Sequence, residues 1–413
     1  MRTCLRWYAM NRRTHQTMND RAHEARHRAA VPARAPGTRL RGGLAVLAAI
    51  AGLAVLAAGC AGAAAPPHPD SPGKPSAASG PGLARRNQGY VSPTHESAGT
   101  GSRSGVTGGA LFGGNAPLVK VAGRLGRRLA IVRVYYRIGE SFPTPESRQL
   151  MASGSTLVVS LDSVPGAGPG YASIVAGRED TAIGAFLRAV NQAAVTYHLG
   201  AIYICFEHEA DNPNHLALGS PSEFIQAWDH VHQLAQSGHL NWNDGGRLHW
   251  VLILEHDAYF RVLPQFLRNG GGGASAYWPG ASEVDIVAAD GYNHTGCKNP
   301  GSAGAAGSSQ SVTPGELFDP VLSFAHSHGG LPVFITEWGS QAGYAFAGQP
   351  AFIAQMRAFV SANREIGAAL YFDWRSAQSP RCSSIINNLP ASVSAMAAMG
   401  HSPDLQGRVV DPG

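Results

Sequence analysis

Ala201-Ile202-Tyr203-Ile204-Cys205-Phe206-Glu207-His208-Glu209 and Pro332-Val333-Phe334-Ile335-Thr336-Glu337-Trp338-Gly339 decide how this chain is read. Each is a short apolar run closed by a glutamate. β-Branched and aromatic residues fill both runs without polar alternation, the pattern of strands buried on both faces of a parallel sheet. A carboxylate at the end of such a strand falls where a (β/α)₈ barrel keeps its active site. Two of them make acid/base and nucleophile chemistry the expectation, the pairing that glycoside hydrolysis uses.

Working outward, strands are expected at 109–113, 130–135, 156–161, 201–206, 249–254, 284–290, 333–336 and 368–373, with helical patterns between most of them. Residues 181–198 carry a helical stripe of Ile183, Phe186, Leu187, Val190 and Ala194. Residues 222–237 follow Ser220-Pro221, a cap and a first-turn proline. Residues 351–364 repeat the stripe at Phe352, Ile353, Met356, Phe359 and Val360. Eight strands alternating with helices predict an α/β fold, either a closed (β/α)₈ TIM barrel or a doubly wound sheet. No GxGxxG or GxxxxGK[ST] follows the first strand, which favours the barrel. The four glycines at 270–273 read as a loop.

The globular composition runs from about 106 to 400, close to 300 residues, with 401–413 expected as a C-terminal tail. Residues 61–105 are dominated by Ala, Gly, Pro and Ser and read as a flexible linker. Residues 1–60 read as a leader. Its apolar core, 44–58, is about 15 residues, short of the roughly 20 a spanning helix needs but suited to a signal peptide. It ends in Leu56-Ala57-Ala58-Gly59-Cys60, which resembles a lipobox whose Cys60 would be lipidated. The alternative is plain secretion after cleavage near 63–65. The expectation is therefore an exported protein, extracellular or a cell-surface lipoprotein, that touches the membrane only through a lipid on Cys60.

Residues 1–60 hold ten Arg, no Lys, one Asp and one Glu, a net +8 within a chain total of +5, which leaves −3 for 61–413. The basic balance thus belongs to the leader, and a nucleic-acid partner is not expected. Of five Cys, Cys4 and Cys60 are in the leader and Cys205 lies in a strand as a small buried residue. Cys297 and Cys382 both fall in loops after strands and are expected to pair as a disulfide once exported, the alternative being two free thiols. No His/Cys cluster points to a metal, and no cofactor is implied.

Glu207, His208, Glu209 and Asp211 place four ionisable groups within five positions, a crowding that raises a carboxyl pKa as a general acid requires. Glu209 is the expected acid/base, with Glu207 in a supporting role. Glu337 is the expected nucleophile. Pro213 opposes a helix and there is no HExxH, so His208 reads as a hydrogen-bonding residue beside the acid. Tyr292 ends the sixth strand, within reach of the nucleophile. Trp338 and Trp374 offer apolar faces for a sugar ring. Arg133, inside the second strand, is either a buried ion-pair partner or a site residue. No GxSxG elbow supports a serine nucleophile.

His208-Glu209, the run from Trp278-Pro279-Gly280-Ala281 to Val284-Asp285, Asp290-Gly291-Tyr292, Thr336-Glu337-Trp338-Gly339 and Tyr371-Phe372-Asp373 together resemble glycoside hydrolase family 26, over roughly residues 106–400. The resemblance implies a (β/α)₈ barrel acting with retention, mostly on β-1,4-mannan, with some β-1,3-xylanases and mixed-linkage glucanases. It implies Glu209 as acid/base, Glu337 as nucleophile, Tyr292 as the residue holding Glu337, and His208 and Trp374 lining the reactive subsite. It departs at Cys205, where the family usually has Arg, and at 210–215, where no Trp follows the acid/base. The expected function is a retaining endo-β-glycanase, a monomer with a polysaccharide or oligosaccharide substrate. The alternatives are a non-catalytic carbohydrate-binding barrel and, less in keeping with eight alternating strands, a two-lobed solute-binding lipoprotein.

Overall fold

β1 (Val106–Asn115), β2 (Ile131–Arg137), β3 (Thr156–Asp162), β4 (Ile202–Phe206), β5 (Leu248–Glu255), β6 (Ile286–Asn293), β7 (Val333–Ser340) and β8 (Ile366–Tyr371) pair in chain order, every pairing parallel. β1 pairs with both β2 and β8, so the sheet closes into an eight-stranded (β/α)₈ barrel. This computed structural model describes residues 103–163, 168–212, 215–260, 273–294, 312–341, 348–375, 383–386 and 389–410.

Closure brings β1 very near its neighbours. A side chain at Gly113 would run into the Ile131 carbonyl, and one at Gly114 into the Tyr371 carbonyl. Glycine at both positions lets the strands meet there.

The apolar residues divide into two layers, as the alternation of side chains along a strand requires. Leu111, Ile131, Val158, Tyr203, Cys205, Ile253, Phe334 and Leu370 fill the barrel interior. A larger cluster packs the outer face of the sheet against the helices. These are α1 (Pro145–Ala152), α2 (Asp180–Thr196), α3 (Pro221–Ser237), α4 (Pro314–Ser327), α5 (Gly348–Ala362) and α6 (Pro390–Gly400). Three start on local chemistry. Thr144, Ser220 and Thr313 cap α1, α3 and α4, each followed by proline. Glu223 and Glu316 complete reciprocal capping boxes. Among the described residues, no helix is long and apolar enough to cross a membrane.

The reading of 401–413 as a tail is corrected for the part described. Pro403–Leu405 forms a 3₁₀ turn and β9 (Gln406–Val409) adds antiparallel to β1, with Val409 opposite Val106. Leu405 is fully buried, and Arg127 Nη1 donates to its carbonyl at 2.8 Å. The barrel also begins slightly before 106. Tyr203 Oη donates to the Ser104 carbonyl at 2.8 Å, and His249 Nδ1 lies 2.7 Å from the Arg103 carbonyl.

Candidate active site

After Phe206 the chain leaves β4 through two residues in the left-handed region, Glu207 at φ 53° and Glu209 at φ 51°. Non-glycine residues rarely adopt that conformation, and it persists only where surroundings enforce it. Here the neighbouring strands do so. On the β3 side, Glu207 N donates to the Leu161 carbonyl at 3.1 Å and the Ser163 N–H donates to Glu207 Oε1. His208 N donates to Asp162 Oδ1 at 3.1 Å, and its ring Nδ1 lies 2.9 Å from Asp162 Oδ2. On the β5 side, Glu209 N donates to the Ile253 carbonyl at 2.9 Å. Asn212 Nδ2 donates to Glu209 Oε2 at 3.3 Å and to Glu255 Oε1 at 3.0 Å.

This setting determines the charges. Burial, then the charges of Glu255 and Asp290 and, more weakly, Glu337, push the Glu209 carboxyl well above the usual carboxylate range, with His208 pulling the other way. Burial and the charge of Asp162 push Glu207 up to about 8. Burial alone would discharge His208, but Asp162 outweighs it and lifts His208 to about 9. His215, whose ring stands edge-on 6.3 Å from that of His208, is driven down to about 4 by burial and the His208 charge.

Across the barrel, Glu337 lies within β7, opposite Asp290 of β6, just past a register shift in that pairing. Its side chain is buried, 5% exposed, and its oxygens are fully engaged. Tyr135 donates to Oε1, Tyr292 donates to Oε2, and Arg133 Nη1 stands 3.0 Å from Oε1. Arg133 also meets Asp290 at 2.9 and 2.8 Å, and Thr336 Oγ1 donates to Asp290 at 2.7 Å. Burial foremost holds both phenols protonated far above the usual tyrosine range, so each remains a donor. A guanidinium and two phenols form the donor set of an ionised carboxylate.

The structure brings Glu209, Glu337, His208 and Tyr292 to the same end of the barrel. His208 packs edge-on against Tyr135 at 5.4 Å. Trp374, partly exposed after β8, donates its backbone N–H to Ser384 Oγ at 3.2 Å. Trp338 is a correction. Its ring is fully buried behind the sheet, edge-on to Tyr371 at 4.8 Å and tilted against Phe352, so no face is open to a sugar. Alternation explains this: with Glu337 facing the barrel interior, its neighbour faces the helices. Arg133 proves to be both of the things open for it, a buried ion-pair partner of Asp290 and a contact of Glu337. The guanidinium in the interior thus comes from β2, while Cys205 on β4 is a buried free thiol. Cys60, Cys297 and Cys382 lie outside the described residues.

Sequence reading missed four members of the site: Tyr135, Asp162, Asn212 and Glu255. The signal for two of them was available, since Asp162 and Glu255 are polar residues that directly follow the apolar runs of β3 and β5 and close those strands.

No family model matches the chain, and comparison with curated protein sequences finds no similar protein. Among solved structures, it resembles a GH26 β-mannanase from Bacteroides ovatus at 12% identity and TM-score 0.49, covering 74% of this chain and 92% of that one. The mannanase man26 of Bacillus subtilis matches at 16% identity and TM-score 0.41, over 71% and 84%. A GH128 endo-β-1,3-glucanase from Amycolatopsis mediterranei matches at 14% and TM-score 0.39, over 71% and 100%. The assignment of the barrel rests on the strand register described above, not on these likenesses.

Proposed function

We propose that the protein is a retaining endo-β-glycanase acting on a β-linked polysaccharide, of the β-1,4-mannan type. The observation that carries the reading is the opposed surroundings of two carboxyl groups. Glu337 is held as an anion by Arg133, Tyr135 and Tyr292, whereas Glu209 is desolvated and faces other carboxylates, which keeps its proton on. Environments that push two carboxyls apart assign the acid and the nucleophile.

Glu337 attacks the anomeric carbon while Glu209 gives its proton to the leaving oxygen, and the glycosidic C–O bond breaks. Glu209, now a carboxylate, takes a proton from water, whose oxygen attacks the same carbon and releases Glu337. His208, carried on the same turn as Glu209, and Trp374, at the end of β8, are placed to contact the sugar beside the cleaved bond. Export, with a lipid on Cys60, is part of the same proposal, since a polymer of this kind is met outside the cell.

The test is reducing-sugar release by the purified protein from mannan, glucomannan, β-1,3-xylan and mixed-linkage glucan, beside Glu209→Ala and Glu337→Ala. Release from one polymer that disappears in both variants supports the assignment and names the substrate. Azide rescue of Glu209→Ala on an aryl glycoside would then show a covalent intermediate. No release from any polymer, with retention in a gel containing one of them, would favour a carbohydrate-binding barrel.

A further inference from the structure

We propose that Glu255 is a positioning residue for the acid/base: its carboxylate, tied to Glu209 through Asn212, keeps on Glu209 the proton that the leaving oxygen takes. The inference deepens the glycosidase reading and rests on it for the role of that proton.

The geometry is specific. One amide nitrogen, Asn212 Nδ2, lies 3.3 Å from Glu209 Oε2 and 3.0 Å from Glu255 Oε1, so two carboxylate oxygens share one donor. The turn and the strand end are cross-linked around that bridge. Glu209 N donates to the Ile253 carbonyl at 2.9 Å, and Glu255 N donates to Asp211 Oδ1 at 3.1 Å. The backbone bonds fix the turn against the strand end, and a carboxylate that swings away must break its bond from Asn212.

Other charges face Glu209, and they differ in kind. Asp290 on β6 and Glu337 on β7 share the Arg133 guanidinium, which offsets them. His208, on the same turn, is cationic and favours the carboxylate form of Glu209, but is itself held by Asp162. Asp211, also on the turn, is raised by burial above all and in part by Glu209, and Asp257 lies just beyond β5. Glu255 is the largest charge acting on Glu209, after burial itself. When Glu209 gives up its proton, the new anion forms against Glu255. The same repulsion then favours Glu209 taking a proton back from water in the second step.

The test is the pH profile of kcat/KM for Glu255→Gln, which keeps shape and an acceptor for Asn212. The alkaline limb, set by the acid, is expected to fall by about one pH unit, with the acid limb unmoved. Glu255→Asp, which keeps the charge, is expected to restore the limb. A second reading does not depend on turnover: side-chain ¹³C NMR of labelled glutamates, with the Glu209 signal identified by its loss in Glu209→Gln. Its midpoint is expected to fall by about one unit in Glu255→Gln. An unmoved Glu209 midpoint in folded Glu255→Gln overturns the proposal. A moved midpoint without hydrolysis of any polymer upholds the charge linkage and counts against the glycosidase reading alone. If Glu255→Gln does not fold, Glu255→Ala decides on the same signal: its Glu209 midpoint should fall too, and an unmoved one overturns the linkage.

Discussion

Arg133 reaches from β2 to Glu337 on β7, its Nη1 3.0 Å from Oε1, with the two side chains only 1% and 5% exposed. The same nitrogen stands 2.8 Å from Asp290, so one buried cation serves two buried carboxylates. Removing one partner of such a group strands the others without water, which costs far more than the pair contributes. Arg133→Met is expected to lose about 3–5 kcal/mol of stability, read by urea denaturation. Arg133→Lys keeps the charge but loses the second nitrogen, which donates to Ser160 Oγ at 3.4 Å, and should fall between. A wild-type unfolding curve for Arg133→Met would refute the arrangement.

Tyr292 donates to the second oxygen of Glu337. Tyr292→Phe removes that donor while keeping the ring, which also packs edge-on to Phe372 at 6.2 Å. A hydrogen bond to a charged group contributes about 1.5–3 kcal/mol, so stability is expected to fall by about that much and kcat/KM to drop roughly ten- to a hundredfold. Steady-state kinetics on the polymer cleaved by wild type checks it.

The two tryptophans should separate cleanly. Trp338 is fully buried, so Trp338→Ala is expected to destabilise by about 3–5 kcal/mol. Trp374 is partly exposed, so Trp374→Ala should leave stability near wild type and raise KM. Melting curves beside kinetics distinguish the two, and equal melting temperatures would contradict the burial of Trp338.

Stability should fall as pH rises toward 9. His208 has its folded value raised to about 9, so its contribution is complete below the unfolded value near 6.5 and is lost as pH rises through about 9. Asp162 is depressed by His208 despite burial, so its contribution is present at neutral pH and is lost on acidification. Glu207, raised to about 8, favours the folded state while protonated, and that preference has gone by about pH 8. Glu207→Gln is expected to flatten the loss up to about pH 8 and leave the His208 part above it. Denaturation curves across that range would show parallel slopes for variant and wild type if Glu207 titrated alike folded and unfolded.

Much of this was legible in the sequence because barrel strands are buried on both faces and announce themselves as apolar runs. The expectation of 156–161 meets an observed Thr156–Asp162, and 249–254 meets Leu248–Glu255. Several strand ends err in one direction, while 368–373 overruns the observed Ile366–Tyr371. Reading by apolar run stops at the first polar residue, yet the strands continue into the site, to Asp162, Glu255, Asn293 and Ser340. The residues cut off in this way are the ones that carry charge, which is why Asp162 and Glu255 were missed. Trp338 was misplaced for the opposite reason. Its proximity in sequence to Glu337 suggested a shared face, when a strand sends neighbours to opposite faces. The bridge through Asn212 has no sequence signature, since it depends on how the turn after β4 folds onto β5. β9 was overlooked because Gln406-Gly407-Arg408-Val409 is short and becomes a strand only by joining β1.

That added strand also fixes where the chain comes and goes. Val409 lies opposite Val106, and Val410 N donates to the Gly105 carbonyl at 2.8 Å, both at the start of β1 and so at the end of the barrel away from Glu209 and Glu337. Residues joined on before 105 or after 410 therefore attach on the side remote from the chemistry. A tag, a solid support or a fused module placed at either point acts as a handle on the back of the barrel, leaving the end that carries Glu209 and Glu337 free.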